Sequence, residues 1–174
     1  MENFFIGFLF MFLNFNITVS NHVIGLLPLF VGYIFIGRGI KEFEGKVPAF
    51  DKIKNFSKIM IAVGVVIYVM DFLAINIGAV YFLVSVVVLA ANVYASFNIT
   101  EGILYLEETK DINIFGKDVR RMWKFMIIAN CASTVTVFIP VLNIIATIAV
   151  LVITILFLIA MNKTKNEAAN HYLY

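Results

Sequence analysis

The chain has 174 residues, 62% of them hydrophobic, and a mean hydropathy of +0.98. Soluble domains are about 45–50% apolar, so a water-soluble chain of this length could not bury this much apolar surface, and lipid must cover part of it. The net charge of only +2 excludes the electrostatic footprint of a nucleic-acid partner, and the single cysteine, Cys131, excludes an intramolecular disulfide.

Positive charges are confined to three short stretches of the sequence. All 13 Lys and Arg residues fall within 38–58, 110–124 and 163–165. Three apolar blocks lie before and between these stretches, at residues 3–37, 59–100 and 125–162. A straight helix of about 40 residues would be about 60 Å long, twice the ~30 Å thickness of the hydrocarbon core, so each block is predicted to fold back once.

Each block has a turn signal near its middle, and these signals divide the chain into six predicted helices. Asn, Gly and Pro allow tight chain reversal, and they occur at 20–22, 76–78 and 140–143. Backbone groups must be hydrogen-bonded in lipid, which favours helices over strands as spanning elements. The predicted spans are 3–19, 23–38, 57–75, 79–98, 121–139 and 142–161.

These spans predict an all-α membrane protein, a bundle of six transmembrane helices built from three helical hairpins. Residues 1–162 are the predicted transmembrane domain, and residues 163–174 are a short cytoplasmic tail. The three basic stretches fall at alternate turns and so lie on one side of the membrane. By the positive-inside rule that side is cytoplasmic, and both termini are predicted to lie there.

Small and polar residues recur at helical spacing in the predicted spans, as is typical of helix–helix contacts in lipid. In the second span, Gly25, Gly32 and Gly39 lie seven residues apart on one face, which predicts that a neighbouring backbone approaches there. Three aromatic residues near the inner ends of spans are predicted to anchor at the membrane interface, namely Tyr33, Tyr94 and Trp123.

One carboxylate lies within the apolar blocks, and it marks the predicted site. Asp71 falls in the third span, where a carboxylate costs about 2.5–3.5 kcal/mol even on the lenient insertion scale. Such residues usually face the bundle interior and mark a substrate or proton path. The predicted substrate-binding cluster in the outer half of the membrane contains Asp71, Tyr68, Asn14, Tyr81, Asn143 and Thr134. A deeper polar group consists of Asn92 and Asn130.

Two hypotheses of different classes account for this cluster. In the first, the protein binds or translocates a small substrate through an outward-facing opening around Asp71. In the second, the polar residues serve helix packing alone, Asp71 is a hydrated residue at the end of a hairpin, and the chain is an accessory, assembly or immunity-type membrane protein.

No sequence motif indicates a reaction. The chain contains no histidine–glutamate metal helix, no phosphate-binding glycine loop and no glycine-flanked nucleophilic serine. Intramembrane aspartyl catalysis needs two carboxylates that share a proton, and within the spans the sequence offers only Asp71. We therefore expect a non-enzymatic protein without a metal or cofactor, and a membrane-embedded enzyme is the third hypothesis.

The run Gly-Leu-Leu-Pro-Leu-Phe-Val-Gly-Tyr-Ile-Phe-Ile at residues 25–36 follows Asn14-Phe15-Asn16-Ile17 and resembles a group of uncharacterised small polytopic bacterial inner-membrane proteins. In that group an Asp often follows the proline and another precedes the Phe-Asn pair, whereas this chain has Leu29 and Asn14 there. The resemblance covers the first third of the chain. It implies a multi-pass protein of the bacterial inner membrane and implies no activity.

In size and in six predicted spans the chain is also similar to the substrate-binding subunits of energy-coupling-factor vitamin transporters, although no motif matches. Together these patterns predict membrane lipid, a small-molecule ligand, and a protein partner or a second copy of the chain as partners. No nucleic-acid partner is expected.

Overall fold

The computed structural model describes residues 1–13, 16–19, 22–25, 27–73, 75 and 79–171, and at 16–19, 22–25, 79 and 81 it describes the backbone only. In chain order the elements are α1 (Glu2–Phe12), β1 (Asn16–Val19), β2 (His22–Gly25), α2 (Leu29–Glu42), α3 (Pro48–Lys52), α4 (Lys54–Phe72), α5 (Ala79–Lys110), α6 (Gly116–Val135), a 3-10 turn (Thr136–Phe138) and α7 (Pro140–Asn170). Within the described residues, three helices are long and apolar enough to cross a membrane, namely α4, α5 from Phe82 onward, and α7. The predicted helical class and the membrane-type composition of these helices are confirmed.

The first apolar block differs from the two helices predicted for it at 3–19 and 23–38. α1 has 11 residues and α2 has 14. These lengths correspond to about 16 and 21 Å, so neither helix alone crosses a ~30 Å hydrocarbon core. Between them, β1 and β2 pair antiparallel, with Asn16 opposite Gly25 and Val19 opposite His22. The strand segments Asn-Ile-Thr-Val and His-Val-Ile-Gly are rich in β-branched residues, which favour strands because their branched side chains lose freedom in a helix.

The third, fourth and sixth predicted spans correspond to α4, α5 and α7. α5 continues without a break to Lys110, and α7 continues to Asn170 through most of the predicted tail. With 32 and 31 residues, α5 and α7 are each about 45–50 Å long, well above the ~30 Å hydrocarbon thickness. Each helix therefore extends beyond its apolar segment into the charged sequence that follows it.

The fifth predicted span, 121–139, begins inside α6 and includes the 3-10 turn that follows it. Five of the first nine residues of α6 are charged, which is why α6 is not among the three membrane-type helices. The apolar part, residues 125–139, has a length of about 22 Å, short of the ~30 Å core.

The described chain divides into two compact units, residues 2–98 and residues 99 onward together with Met1. In the first unit, aromatic side chains of α1 pack against those at the start of the basic stretch. The ring centroid of Phe50 lies 4.8 Å from that of Phe4 and 5.6 Å from that of Phe43, and all three side chains are buried. Nearby, Lys54 donates a hydrogen bond to Glu44, and this bond and the lysine charge hold the pKa of Glu44 below its usual range.

α1 and α2 approach each other most closely at glycines. A Cβ atom on Gly32 would lie 2.9 Å from the carbonyl oxygen of Gly7, and a Cβ atom on Gly39 would lie 2.9 Å from the ring of Phe4. The predicted backbone approach is therefore confirmed at Gly32. Gly25 lies in β2 rather than on the same helix.

In the second unit, α6 and α7 pack together as a helical hairpin. Their buried residues recur mainly at three- and four-residue spacing, so one face of each helix meets its neighbour. These residues include Gly116, Val119, Trp123 and Met126 of α6, and Thr154, Phe157, Met161, Thr164 and Ala168 of α7. The other faces carry large exposed apolar side chains, among them Ile128, Val141 and Ile148. Such a surface is typical of helices that contact lipid.

The connection from α5 to α6 places the carboxylate of Glu107 at the N-terminus of α6. Phe115 has φ 60°, in the left-handed region, and precedes the first residue of α6. The backbone N–H of Gly116 donates to Glu107 Oε2 at 2.5 Å, and Lys163 Nζ lies 5.4 Å from the centroid of the Phe115 ring. A negative charge at a helix N-terminus is favoured by the helix dipole, so Glu107 stabilises the start of α6.

Candidate functional site

Asp71 lies in the last turn of α4, one residue before the helix ends at Phe72. Its side chain is half-buried, whereas Val69, Phe72 and Leu73 around it are exposed. The C-terminal end of a helix carries partial negative charge, so a carboxylate there is disfavoured by the helix dipole as well as by apolar surroundings.

Gly64 and Tyr68 share a face of α4 with Asp71, because the three residues are spaced by four and three. This face meets the start of α2. The ring centroids of Tyr68 and Phe30 are 5.7 Å apart in an edge-to-face arrangement. A Cβ atom on Gly64 would lie 2.9 Å from the backbone nitrogen of Phe30. Asp71 is therefore one turn beyond a tight aromatic contact between two helices.

Three other predicted site residues lie together at the turn between α6 and α7, in the second unit. Asn143 Nδ2 donates to the backbone oxygen of Ser133 at 3.0 Å. Thr134 Oγ1 donates to the backbone oxygen of Asn130 at 2.9 Å, and Asn130 Nδ2 donates to that of Met126 at 2.8 Å. The bond of Asn143 joins α7 to α6 across the turn, whereas Thr134 and Asn130 bond to carbonyls one turn earlier within α6.

Asn92 is buried between helices of the first unit. Its Oδ1 accepts a hydrogen bond from the hydroxyl of Tyr33 at 2.9 Å, which links α5 to α2. The Tyr33 ring also meets the edge of Phe56 of α4 at 6.4 Å between centroids, and Phe56 meets Tyr94 of α5 at 5.0 Å. Tyr33 is fully buried and Trp123 is nearly so, and the prediction that these two residues are interfacial anchors is therefore wrong.

The structure thus places the predicted site residues in two groups. Asp71, Tyr68 and Asn92 belong to the unit of residues 2–98, and Asn130, Thr134 and Asn143 belong to the unit from residue 99 onward. The predicted contributions of Asn14 and of the Tyr81 side chain lie outside the described residues.

A charged cluster that the sequence analysis did not single out lies in the second unit. Arg120 Nη1 is 2.8 Å from Glu101 Oε1 and 3.3 Å from Thr100 Oγ1, and its guanidinium carbon lies 4.8 Å from the centroid of the Trp123 ring. The three-residue spacing of Arg120 and Trp123 could have indicated the stacking. The ion pair with Glu101 joins α6 to α5, and it could not be predicted from residue spacing because its two residues lie on different helices.

No protein-family model, curated protein or solved structure matches this chain. Among the residues that the structure describes, no group of three or more His, Cys, Asp or Glu side chains is placed to hold a metal ion.

Proposed function

We propose that this chain is a non-enzymatic, multi-pass protein of the bacterial inner membrane, with its basic stretches and both termini on the cytoplasmic side. The three long apolar helices and the confinement of all Lys and Arg residues to three stretches support this arrangement. In this orientation the Asp71 end of α4 lies at the outer side, because the other end of α4 begins in the basic stretch that contains Lys54 and Lys58.

The proposed function is the binding or passage of a small substrate at an outward-facing site centred on Asp71. One observation carries the proposal: Asp71 is the only ionised side chain between residues 59 and 100, and it lies at the unfavourable end of a helix dipole. A ligand with a positive charge or hydrogen-bond donors would be attracted to this carboxylate. The neighbouring Tyr68 supplies an aromatic surface that also suits a cation.

A second candidate function has its own supporting observation. Asn143 and Asn92 each make a hydrogen bond between two helices, which is what polar side chains devoted to packing do. Asn130 and Thr134 bond to backbone carbonyls within their own helix. On this candidate the protein is an accessory or assembly protein whose function depends on a protein partner or a second copy, and Asp71 is a hydrated helix end.

Asp71→Asn separates the two candidates, since it keeps the shape of the side chain and removes its charge. The full-length protein would be purified in mild detergent, its retained small molecules identified by native mass spectrometry, and its melting temperature measured. Substrate binding predicts that Asp71→Asn loses the retained small molecule but stays folded. The accessory candidate predicts an unchanged or slightly higher melting temperature, because removal of an anion from a helix C-terminus contributes about 0.3–1 kcal/mol of stability.

Asp111→Asn is the matched control. Asp111 is exposed and has φ 49°, a conformation that Asn also tolerates, so this variant removes a charge without strain. It should retain the small molecule as the wild type does. If the wild type retains no small molecule, or Asp71→Asn retains it unchanged, the substrate-binding proposal is wrong and the accessory candidate replaces it.

A further inference from the structure

The N-terminal half of α6 carries a basic face that points away from the helical hairpin. Lys117, Arg121 and Lys124 are all exposed, and their spacing of four and three places them on one side of the helix. The residues buried against neighbouring helices, including Gly116, Val119 and Trp123, occupy other positions of the helical repeat. The three side chains thus form one solvent-accessible basic face.

The charged groups of these three side chains are available to a ligand. Within the described part of the chain, none of the three side chains makes a hydrogen bond or an ion pair. Arg120, the fourth basic residue of α6, behaves differently, because it turns toward Glu101 and stacks on Trp123. Asp118 is exposed beside the basic face, and Lys117 borders a pocket that is also lined by Glu107, Glu108 and Asp111. Arg121 and Lys124 do not line this pocket, so the positive charge of the face is concentrated at its Arg121 and Lys124 end.

The basic face continues directly into an apolar one. Phe125 follows Lys124 and is 51% exposed, and Ile128, four residues beyond Lys124, is 65% exposed. From Lys117 to Lys124 the helix rises about 10 Å, so these residues span the polar headgroup layer of about 5–8 Å on one side of a bilayer. Along α6 the basic surface therefore comes first and the apolar surface second, which matches the headgroup and the acyl chain of a phospholipid.

We propose that Lys117, Arg121 and Lys124 bind the phosphate-containing headgroups of anionic phospholipids, with the acyl chains lying on Phe125 and Ile128. Basic residues next to a membrane segment attract anionic lipid, and each such charge strengthens binding by about fivefold. Long Lys and Arg side chains also reach the headgroup layer while their stems cover apolar surface, which compensates for the short apolar length of α6.

Native mass spectrometry of the full chain, released from nanodiscs of equimolar phosphatidylglycerol and phosphatidylcholine, tests this proposal. The wild type should retain phosphatidylglycerol in preference to phosphatidylcholine. The triple variant Lys117→Gln, Arg121→Gln, Lys124→Gln should lose this preference by about fivefold per charge removed. If the triple variant does not purify, each single Gln variant should lower retention about fivefold, and unchanged retention in all three would overturn the proposal.

The matched control removes three exposed lysines from the other unit that lie outside the long apolar helices, as Lys41→Gln, Lys46→Gln and Lys52→Gln. This variant should keep the preference of the wild type, and an equal loss would mean that net charge rather than the α6 face attracts the lipid. Inorganic phosphate added in place of lipid should give no retained adduct, because it has no acyl chain to lie on α6. An adduct with phosphate as strong as that with phosphatidylglycerol would equally contradict a lipid site.

Discussion

At the scale of single residues, the hydrogen bond from Tyr33 to Asn92 is the clearest link between two helices of the first unit. Both side chains are buried, and the bond joins α2 to α5 over a separation of 59 residues. A buried amide oxygen that loses its donor remains desolvated without a hydrogen bond. Removal of one partner therefore lowers stability more than replacement of both partners by apolar groups.

Tyr33→Phe removes only the hydroxyl and leaves Asn92 without this donor. We expect the free energy of unfolding to fall by about 0.5–2 kcal/mol. The lower limit is typical of an interhelical hydrogen bond in a membrane protein, and the upper limit reflects the cost of a buried acceptor without a donor. Thermal or denaturant unfolding in detergent measures the loss. Adding Asn92→Leu to this variant should recover part of it.

The control for this prediction is Tyr105→Phe, which removes a hydroxyl from a side chain that is 42% exposed. Its unfolding should match the wild type. Equal losses in Tyr33→Phe and Tyr105→Phe would show that the buried bond does not link the helices.

The position of Asp71 could be predicted from the sequence, because a single carboxylate within a long apolar block differs from everything around it. The bond of Asn143 could not. Its acceptor is a backbone carbonyl of another helix, and every residue supplies such a carbonyl, so neither residue type nor spacing identifies it.

At the scale of secondary-structure elements, the close contact of α1 with α2 depends on the absence of a side chain at Gly32. Gly37 lies on the same helix but is less constrained. A Cβ atom there would meet only Ser57 Oγ, at an ordinary distance of 3.7 Å. The two glycines thus form a matched pair for substitution.

Gly32→Ala should lower the melting temperature, because the new Cβ would lie 2.9 Å from a backbone oxygen and 3.1 Å from the Cβ of Phe10. An overpacked contact of this kind costs about 1–3 kcal/mol, more than the ~1 kcal/mol that Ala contributes over Gly in a helix. Gly37→Ala should be neutral or stabilising. If both variants melt at the same temperature as the wild type, α1 does not pack on α2 at Gly32.

Helices α4, α5 and α7 could be predicted because a run of about twenty apolar residues has the length and composition that a membrane-spanning helix requires. The β1–β2 hairpin could not, since a short apolar run rich in Val, Ile and Thr fits a strand and a buried helix equally well. The extension of α5 to Lys110 follows from residues such as Glu101, Leu104 and Leu106, which favour helix even where the chain becomes polar.

At the scale of the whole molecule, charge is the feature that sequence predicts most directly. A charged side chain is costly in hydrocarbon, so the distribution of Lys and Arg constrains which turns share a side of the membrane. The arrangement of the helices within each unit depends instead on close contacts such as Gly64 against Phe30, which no charge pattern encodes.

The proposed site at Asp71 requires that the Asp71 end of α4 and the basic stretches lie on opposite sides of the membrane. Single cysteines introduced into a Cys131→Ser background test it, with a membrane-impermeant maleimide applied to intact bacterial cells. In the proposed topology, Ile75 and Val141 lie on the same side of the membrane as Asp71, and Lys46 and Glu108 lie on the side of the basic stretches. All four residues are exposed, so their substitution should not disturb packing.

We predict that cysteines at Ile75 and Val141 react in intact cells, whereas those at Lys46 and Glu108 react only after lysis. Labelling at Lys46 in intact cells, with no labelling at Ile75 until lysis, would reverse the orientation and contradict an outward-facing site at Asp71. Labelling of Ile75 and Lys46 under the same condition would show that α4 does not cross the membrane.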